Sequence, residues 1–182
     1  MFFEDAKLVS QELDLVLTGR SAGVEEKVPM CGIPFHAANS YIQRLVKKGY
    51  KVAICEQLED PSSAKGLVDR GIIKIITPGT YMDATMDAKS TNYMASCDVS
   101  SFEITVIYCE LSTGELKYQT LQRSLVALQK ALLEQNVSEL VCPMTMDKKW
   151  MAALEEMDTM LISKHKKANI DPEDLPLLNG IE

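Results

Sequence analysis

The chain has 182 residues and a mass of 20.2 kDa, which suits one domain of ordinary size or two small ones. Apolar residues make up 46% and charged residues 25%, a globular mixture that excludes a disordered or low-complexity chain. Acidic residues outnumber basic ones by 26 to 19, and this net charge of −7 excludes a uniformly basic nucleic-acid coat, because phosphate binding needs an excess of Lys and Arg.

The charge is divided unevenly along the chain. Residues 1–78 hold ten basic and ten acidic side chains, whereas residues 79–182 hold nine and sixteen and carry the whole net charge. Pro78-Gly79 is a turn signal, so we expect a boundary near residue 80 and a linker over 81–91. The basic residues of the first part gather at Arg44, Lys47, Lys48 and Lys51.

The first half predicts helices and strands around a long loop. One helical stripe is formed by Phe2, Ala6, Val9 and Leu13. Five Gly and Pro residues make 19–35 a loop, and loops of this length are often functional. In chain order the sequence predicts a helix over 2–14, a short strand over 15–18, that loop, a helix over 38–46 ended by Gly49, and buried strands over 52–55 and 72–77.

The second half has a clearer pattern. It predicts strands over 93–99, 102–108 and 115–121, a helix capped by Ser124 and ended by Asn136, a strand over 139–142, a helix capped by Asp147, and a strand over 159–163. This β-β-β-α-β-α-β order is typical of an RNase H-like fold, and the chain as a whole is predicted to be α/β (α+β).

An RNase H-like fold raises the possibility of a metal-dependent nuclease. That chemistry requires several carboxylates that converge on paired Mg²⁺ ions. Asp98 stands near the end of the first strand, and Glu134 at the far end of the following helix. A strand-end role for Asp98 is therefore favoured, and nuclease activity is the alternative.

Nucleotide and metal sites have little support. Ala88-Lys89-Ser90 ends like a phosphate-binding loop but lacks its glycines. Cys31, His36 and Cys55 lack the paired spacing of a zinc site. The five cysteines contain no Cys-x-x-Cys, which favours buried free thiols in a reducing compartment.

The long loop and the basic cluster after it form one candidate site. Basic side chains bind phosphates, Gly and Pro let backbone approach a ligand, and Met30 or Ile33 could enter a minor groove. The alternative is a solvated helix face after an ordinary loop. From residue chemistry alone this alternative is favoured.

Several short motifs stand in one order along the first 80 residues. They are Met1-Phe2-Phe3-Glu4-Asp5-Ala6, Leu17-Thr18, Pro29-Met30-Cys31-Gly32-Ile33-Pro34-Phe35-His36-Ala37, Val52-Ala53-Ile54-Cys55-Glu56-Gln57, Asp60-Pro61, Lys65-Gly66 and Ile76-Thr77-Pro78-Gly79-Thr80. Together they resemble the MutS family of bacterial DNA mismatch-recognition ATPases. Residues 91–163 resemble the family's connector domain mainly by pattern.

The resemblance implies a small mixed-sheet mismatch-binding domain over 1–80 and an RNase H-like connector domain over 92–182. Such a domain grips kinked double-stranded DNA, with a mismatch or small loop, from the minor-groove side. The residues that the resemblance and the loop chemistry assign to DNA binding are Arg20, Met30, Cys31, Gly32, Ile33, Pro34, His36, Arg44 and Lys48.

The resemblance also implies partners and a compartment. The connector would dock a MutL-like protein, and the parent protein would be a cytoplasmic, nucleoid-associated homodimer. ATP and Mg²⁺ would bind an ATPase domain that this chain lacks, so we expect no cofactor, metal, catalytic residue or membrane partner here. A protein-interaction domain without DNA binding is a further alternative.

The sequence departs from the family at its ends. The family's Phe-x-Glu wedge would stand before Met1, and Phe2-Phe3-Glu4 aligns after it, so we predict that Phe2 and Phe3 pack in the core at the helix start. The mismatch-binding domain would lack its first helix and wedge strand, exposing a sheet edge, and the connector would be C-terminally incomplete. Weak or no mismatch preference is therefore expected.

Overall fold

The computed structural model describes residues 1–21, 23, 27–59, 68–82 and 91–166. The chain divides into two compact units, Met1–Ser90 and Thr91–Glu182. Most of the predicted linker over 81–91 lies outside the described residues, as do the Asp60-Pro61 and Lys65-Gly66 motifs. Among the described residues, no helix has both the length and the apolar character to cross a membrane.

The first unit contains two helices and two small antiparallel sheets. In chain order its elements are α1 (Phe3–Leu13), β1 (Thr18–Arg20), β2 (Val28–Met30), a 3-10 turn (Phe35–Ala37), α2 (Ala38–Lys47), β3 (Val52–Gln57) and β4 (Arg70–Ile76). Strand β1 pairs with β2, and β3 pairs with β4.

Two small apolar clusters hold the first unit together. One joins α1 to α2 through Ala6, Val9, Leu13, Cys31 and Leu45. The other joins α2 to the β3–β4 sheet through Ile42, Val46 and Ile76. Helix α2 ends as predicted, because Gly49 adopts a φ of +85° that side chains disfavour.

Five predictions for the first unit are wrong. The strand expected over 15–18 lies at Thr18–Arg20, and the loop over 19–35 contains both strands of the β1–β2 pair. The strands over 52–55 and 72–77 are mostly exposed and not buried, because among the described residues the β3–β4 sheet has two strands and α2 covers one face. Ile72, Ile73 and Ile75 of β4 are all more than half exposed. Phe2 and Phe3 do not pack in the core, because α1 buries only Ala6, Val9 and Leu13.

The second unit is a five-stranded mixed sheet with two helices. Its elements are β5 (Tyr93–Val99), β6 (Glu103–Glu110), β7 (Glu115–Gln122), α3 (Leu125–Glu134), β8 (Val137–Pro143), α4 (Lys148–Glu155) and β9 (Leu161–His165). The strand order is β7-β6-β5-β8-β9. Strands β5, β6 and β7 are antiparallel neighbours, and β8 and β9 continue the sheet in parallel. The predicted β-β-β-α-β-α-β order is confirmed.

Both helices pack on one face of this sheet. That face, here called the covered face, includes Ala95, Cys97, Val106 and Leu140 and meets Leu128, Leu132, Met151 and Leu154 of the helices. The predicted caps are confirmed. The Ser124 side chain accepts the Ala127 N–H at 3.5 Å, and Asp147 Oδ1 accepts the Lys149 and Trp150 N–H groups at 2.8 and 3.3 Å.

Candidate nucleic-acid interface

The predicted site begins on the β1–β2 pair. Thr18 lies opposite Met30, and Arg20 lies opposite Val28. The first residues of the chain lie beside β2, because the Met1 ammonium group donates to the Cys31 carbonyl oxygen at 2.9 Å and the Cys31 N–H donates to the Met1 carbonyl oxygen at 3.2 Å. The start of the following loop is therefore fixed from both sides.

The loop that follows β2 has a buried root and an exposed tip. The Cys31 side chain is buried in the α1–α2 cluster, so only its backbone could reach a ligand. Ile33 is half-buried, and Gly32, Pro34 and His36 are exposed. Phe35 is 90% exposed at the start of the 3-10 turn, which the Ala37 N–H closes by donating to the Pro34 carbonyl oxygen at 3.0 Å. The tip thus presents an aromatic ring on a constrained backbone.

Arg20 stands beside two aromatic rings. It is exposed at the end of β1 and lines a cavity of about 340 Å³ together with Phe2, Phe3, Ser21 and Val28. Phe2 and Phe3 are 42% and 63% exposed. An arginine near accessible aromatic rings is typical of surfaces that bind nucleic-acid backbone and bases.

Arg44 and Lys48 have a different environment, at the C-terminal end of α1. Arg44 Nη2 donates to the Leu13 carbonyl oxygen at 3.4 Å. Lys48 Nζ donates to the Glu12 carbonyl oxygen at 2.9 Å and to Glu12 Oε2 at 2.6 Å. Cations are favourable at this end of a helix, where carbonyl groups lack partners. Both residues therefore connect α2 to α1.

Glu12 completes this connection. Its carboxylate accepts hydrogen bonds from Lys48 and from the Tyr50 hydroxyl group, the latter at 2.9 Å. The hydrogen bond from Lys48, followed by that from Tyr50, holds the pKa of Glu12 below its ordinary value. The structure thus separates the nine predicted residues into a surface at Arg20 and the loop, and a helix junction at Arg44 and Lys48.

The fold does not bring together the residues that were candidates for a nuclease or metal site. Asp98 is exposed near the end of β5, and it lines a cavity of about 300 Å³ with Arg123, Asp147 and Trp150. Glu134, at the end of α3, pairs with Lys130 at 3.6 Å. Within the described part of the chain, no three His, Cys, Asp or Glu residues are placed to hold a metal ion. All five cysteines are free, and Cys55 is exposed.

The sequence interpretation missed Phe35 as a candidate contact residue. The sequence predicts DNA contacts for its neighbours Pro34 and His36 but not for Phe35 itself. An aromatic residue inside a Gly- and Pro-containing loop was the available signal, because such a loop has few apolar neighbours to bury the ring.

Comparisons with known proteins match both halves of the chain. Residues 1–85 match the family model for MutS domain I. The chain is 46% identical over 181 residues to the DNA mismatch repair protein MutS of Clostridium botulinum strain Loch Maree, covering 94% of this chain and 19% of that protein. It is 43% identical over 183 residues to the same-named protein of Clostridium tetani, covering 99% of this chain and 20% of that protein. The chain thus spans about a fifth of the length of these curated relatives.

Proposed function

We propose that the first unit, whose residues 1–85 match the family model for MutS domain I, binds double-stranded DNA containing a mismatch or a small unpaired loop. The observation that carries the proposal is the exposed Phe35 ring on a loop with a fixed root. An apolar or aromatic side chain that enters a base step must be held rigidly, because insertion separates stacked bases at a cost of a few kcal/mol.

The loop and Arg20 contribute different contacts to DNA binding. Stacking of a base on an aromatic ring contributes about 1–3 kcal/mol, which Phe35 can supply. Arg20 is an exposed cation at the end of β1, and exposed arginine side chains bind phosphate oxygens. Phe35 therefore contacts bases in the minor groove, and Arg20 contacts the DNA backbone.

Arg44 and Lys48 support this surface indirectly. Their charged groups are engaged at the end of α1, and a direct phosphate contact would have to replace those bonds. We assign them to positioning α1 against α2, with their positive charge adding only to the long-range attraction of DNA.

The rest of the proposal concerns the longer relatives. The second unit docks a MutL-like protein, and the whole protein is a cytoplasmic, nucleoid-associated homodimer. ATP and Mg²⁺ bind a separate ATPase domain of that protein. The present chain acts as a binding module, holding no cofactor and catalysing no reaction.

The proposal is tested by fluorescence anisotropy of labelled duplexes, one with a central G·T mismatch and one fully paired, titrated with the full chain at about 50 mM salt. Arg20→Ala should weaken binding about tenfold and reduce the salt slope by about one, because one phosphate contact is lost. Phe35→Ala should weaken binding about tenfold at an unchanged salt slope, because the lost contact is uncharged.

Lys130→Ala is the matched control, since it removes an exposed cation of the second unit. The proposal is wrong if no duplex is bound at low salt, or if the Arg20 and Lys130 variants lose affinity equally. We expect the G·T duplex to be preferred by less than about tenfold, or 1.4 kcal/mol. A larger preference would contradict this expectation.

A further inference from the structure

Two buried thiols lie side by side in the core of the second unit. Strands β5 and β8 are parallel, and Ser96 lies opposite Val141. The next residue on each strand is a cysteine, and both Cys97 and Cys142 are buried in the core on the covered face. Neighbouring strands lie about 4.8 Å apart, within the Cα separations of roughly 4.4–6.8 Å that a disulfide spans. The two cysteines are therefore placed to form a disulfide with little movement of the backbone.

The two thiols are not equivalent. The Cys97 thiol donates a hydrogen bond to the Cys142 sulfur. This hydrogen bond favours the ionised form of its acceptor, so it lowers the pKa of Cys142, and together with burial it raises the pKa of Cys97. Cys142 is thus the thiol that ionises first, and the thiolate is the form that attacks an oxidant.

A cavity lies at the same ends of these two strands. Asp98 and Val99 follow Cys97, and Pro143 follows Cys142, and these three following residues line the cavity of about 300 Å³. Hydrogen peroxide is little larger than water, and a water molecule needs only about 15 Å³ of such space. Local opening of the strand ends, which costs less than unfolding of the core, is enough to bring the oxidant to a sulfur.

We propose that Cys97 and Cys142 are a reversible disulfide site of the second unit, oxidised by hydrogen peroxide or another small hydroperoxide and reduced by a dithiol. The sequence contains no Cys-x-x-Cys that would mark such a site. Only the parallel pairing of β5 and β8 joins the two cysteines, because the strands bring together residues that are 45 positions apart. The site is independent of the DNA-binding surface of the first unit.

The oxidation proceeds in two steps. The Cys142 thiolate attacks one peroxide oxygen and breaks the O–O bond, which gives a sulfenic acid and a hydroxide that takes up a proton to become water. The Cys97 sulfur then attacks the Cys142 sulfur, the S–O bond breaks, and the departing hydroxide leaves as water with the Cys97 proton. The two sulfurs together lose two electrons, which the peroxide gains. Because Cys97 is already in contact, the second step should outpace further oxidation to a sulfinic acid.

The test exposes the folded full chain to hydrogen peroxide, then counts thiols in denaturant and identifies linked peptides by mass spectrometry without reduction. Cys55→Ser is the starting variant, because it removes the exposed thiol and so prevents disulfides between chains through that residue. We expect its four remaining thiols to fall to two, with Cys97 and Cys142 joined in one linked peptide, and dithiothreitol to restore all four. The same oxidation in urea should give no preferred pair, because the parallel register of β5 and β8 is then lost.

Cys109→Ala in the same background is the matched control, because it removes a half-buried thiol of β6 and should leave the linked peptide unchanged. Cys97→Ala should instead allow dimedone to trap a sulfenic acid at Cys142, because no second thiol then stands beside it. Unfolding in urea, followed by Trp150 fluorescence, shows that each variant is folded. Four thiols that survive peroxide in the folded chain overturn the proposal. So does a linked peptide that forms only in urea or that joins other cysteines.

Discussion

The two units bury apolar side chains to very different extents. The second unit has one continuous core of thirteen buried residues between its sheet and α3 and α4. The first unit has two separate clusters, of five and three buried residues. A continuous core makes the second unit a rigid platform, whereas the first unit leaves apolar side chains on its surface, where another macromolecule can contact them.

The largest expected loss of stability comes from a substitution that opens a cavity in the core of the second unit. Leu140 is fully buried on the interior strand β8, so Leu140→Ala should lower the free energy of unfolding by about 2–5 kcal/mol. Urea unfolding followed by the fluorescence of Trp150, the single tryptophan, measures this loss. Leu133→Ala, at an exposed position of α3, is the control and should stay within about 0.5 kcal/mol. Equal losses would show that the core is not continuous.

An intermediate effect on stability is expected from changing Glu110 at the β6–β7 turn. The Thr113 and Ser112 side chains, followed by their backbone N–H groups, hydrogen-bond the Glu110 carboxylate and lower its pKa from 4.5 to about 2. A lowered folded-state pKa stabilises the fold fully above the unfolded-state value, and this contribution is lost as pH falls from 4.5 towards 2.

Glu110→Gln should therefore lower the urea midpoint of the second unit at pH 6 and make it less sensitive to acid between pH 4.5 and 2. Trp150 fluorescence again reports the midpoint. Glu156→Gln, at an exposed residue after α4, is the control and should keep the acid sensitivity of the wild type. An unchanged acid profile in the Glu110 variant would show that the turn does not depend on this carboxylate.

A smaller effect on stability is expected from replacing Arg44, where α2 meets α1. Arg44→Ala removes a contact with the Leu13 carbonyl oxygen and a guanidinium group 5.8 Å from the Tyr41 ring centroid, which together contribute about 0.5–1 kcal/mol. Hydrogen exchange of the α1 amides should increase accordingly, while DNA affinity falls less than threefold. Lys47→Ala, at an exposed site on α2, is the control. A tenfold loss of DNA affinity without faster exchange would make Arg44 a direct DNA contact.

The sequence predicts the second unit better than the first for a physical reason. The helix caps at Ser124 and Asp147 of the second unit are local signals, since each depends on residues within a few positions. The contacts of Arg44 and Lys48 join residues 31 and 36 positions apart, and no local pattern records them.

Exposure was the property that sequence patterns predicted least well. Phe2 continues the helical stripe of α1, yet its backbone pairs with Met30 and the ring stays outside the core. The three-residue strands β1 and β2 are too short to show alternation. The accessibility of Phe35 likewise depends on what the rest of the fold leaves uncovered.

The smallest effect separates two adjacent isoleucines of β4. Ile76 is buried against α2, whereas Ile75 is exposed on the opposite face of the β3–β4 sheet. Ile75→Ala should change the free energy of unfolding by less than about 0.5 kcal/mol, and Ile76→Ala should lower it by about 2 kcal/mol or more. Hydrogen exchange of the β3 and β4 amides measures both. If Ile75→Ala costs as much as Ile76→Ala, both faces of the β3–β4 sheet are covered in solution, and the two units would then differ less in burial than their described residues show.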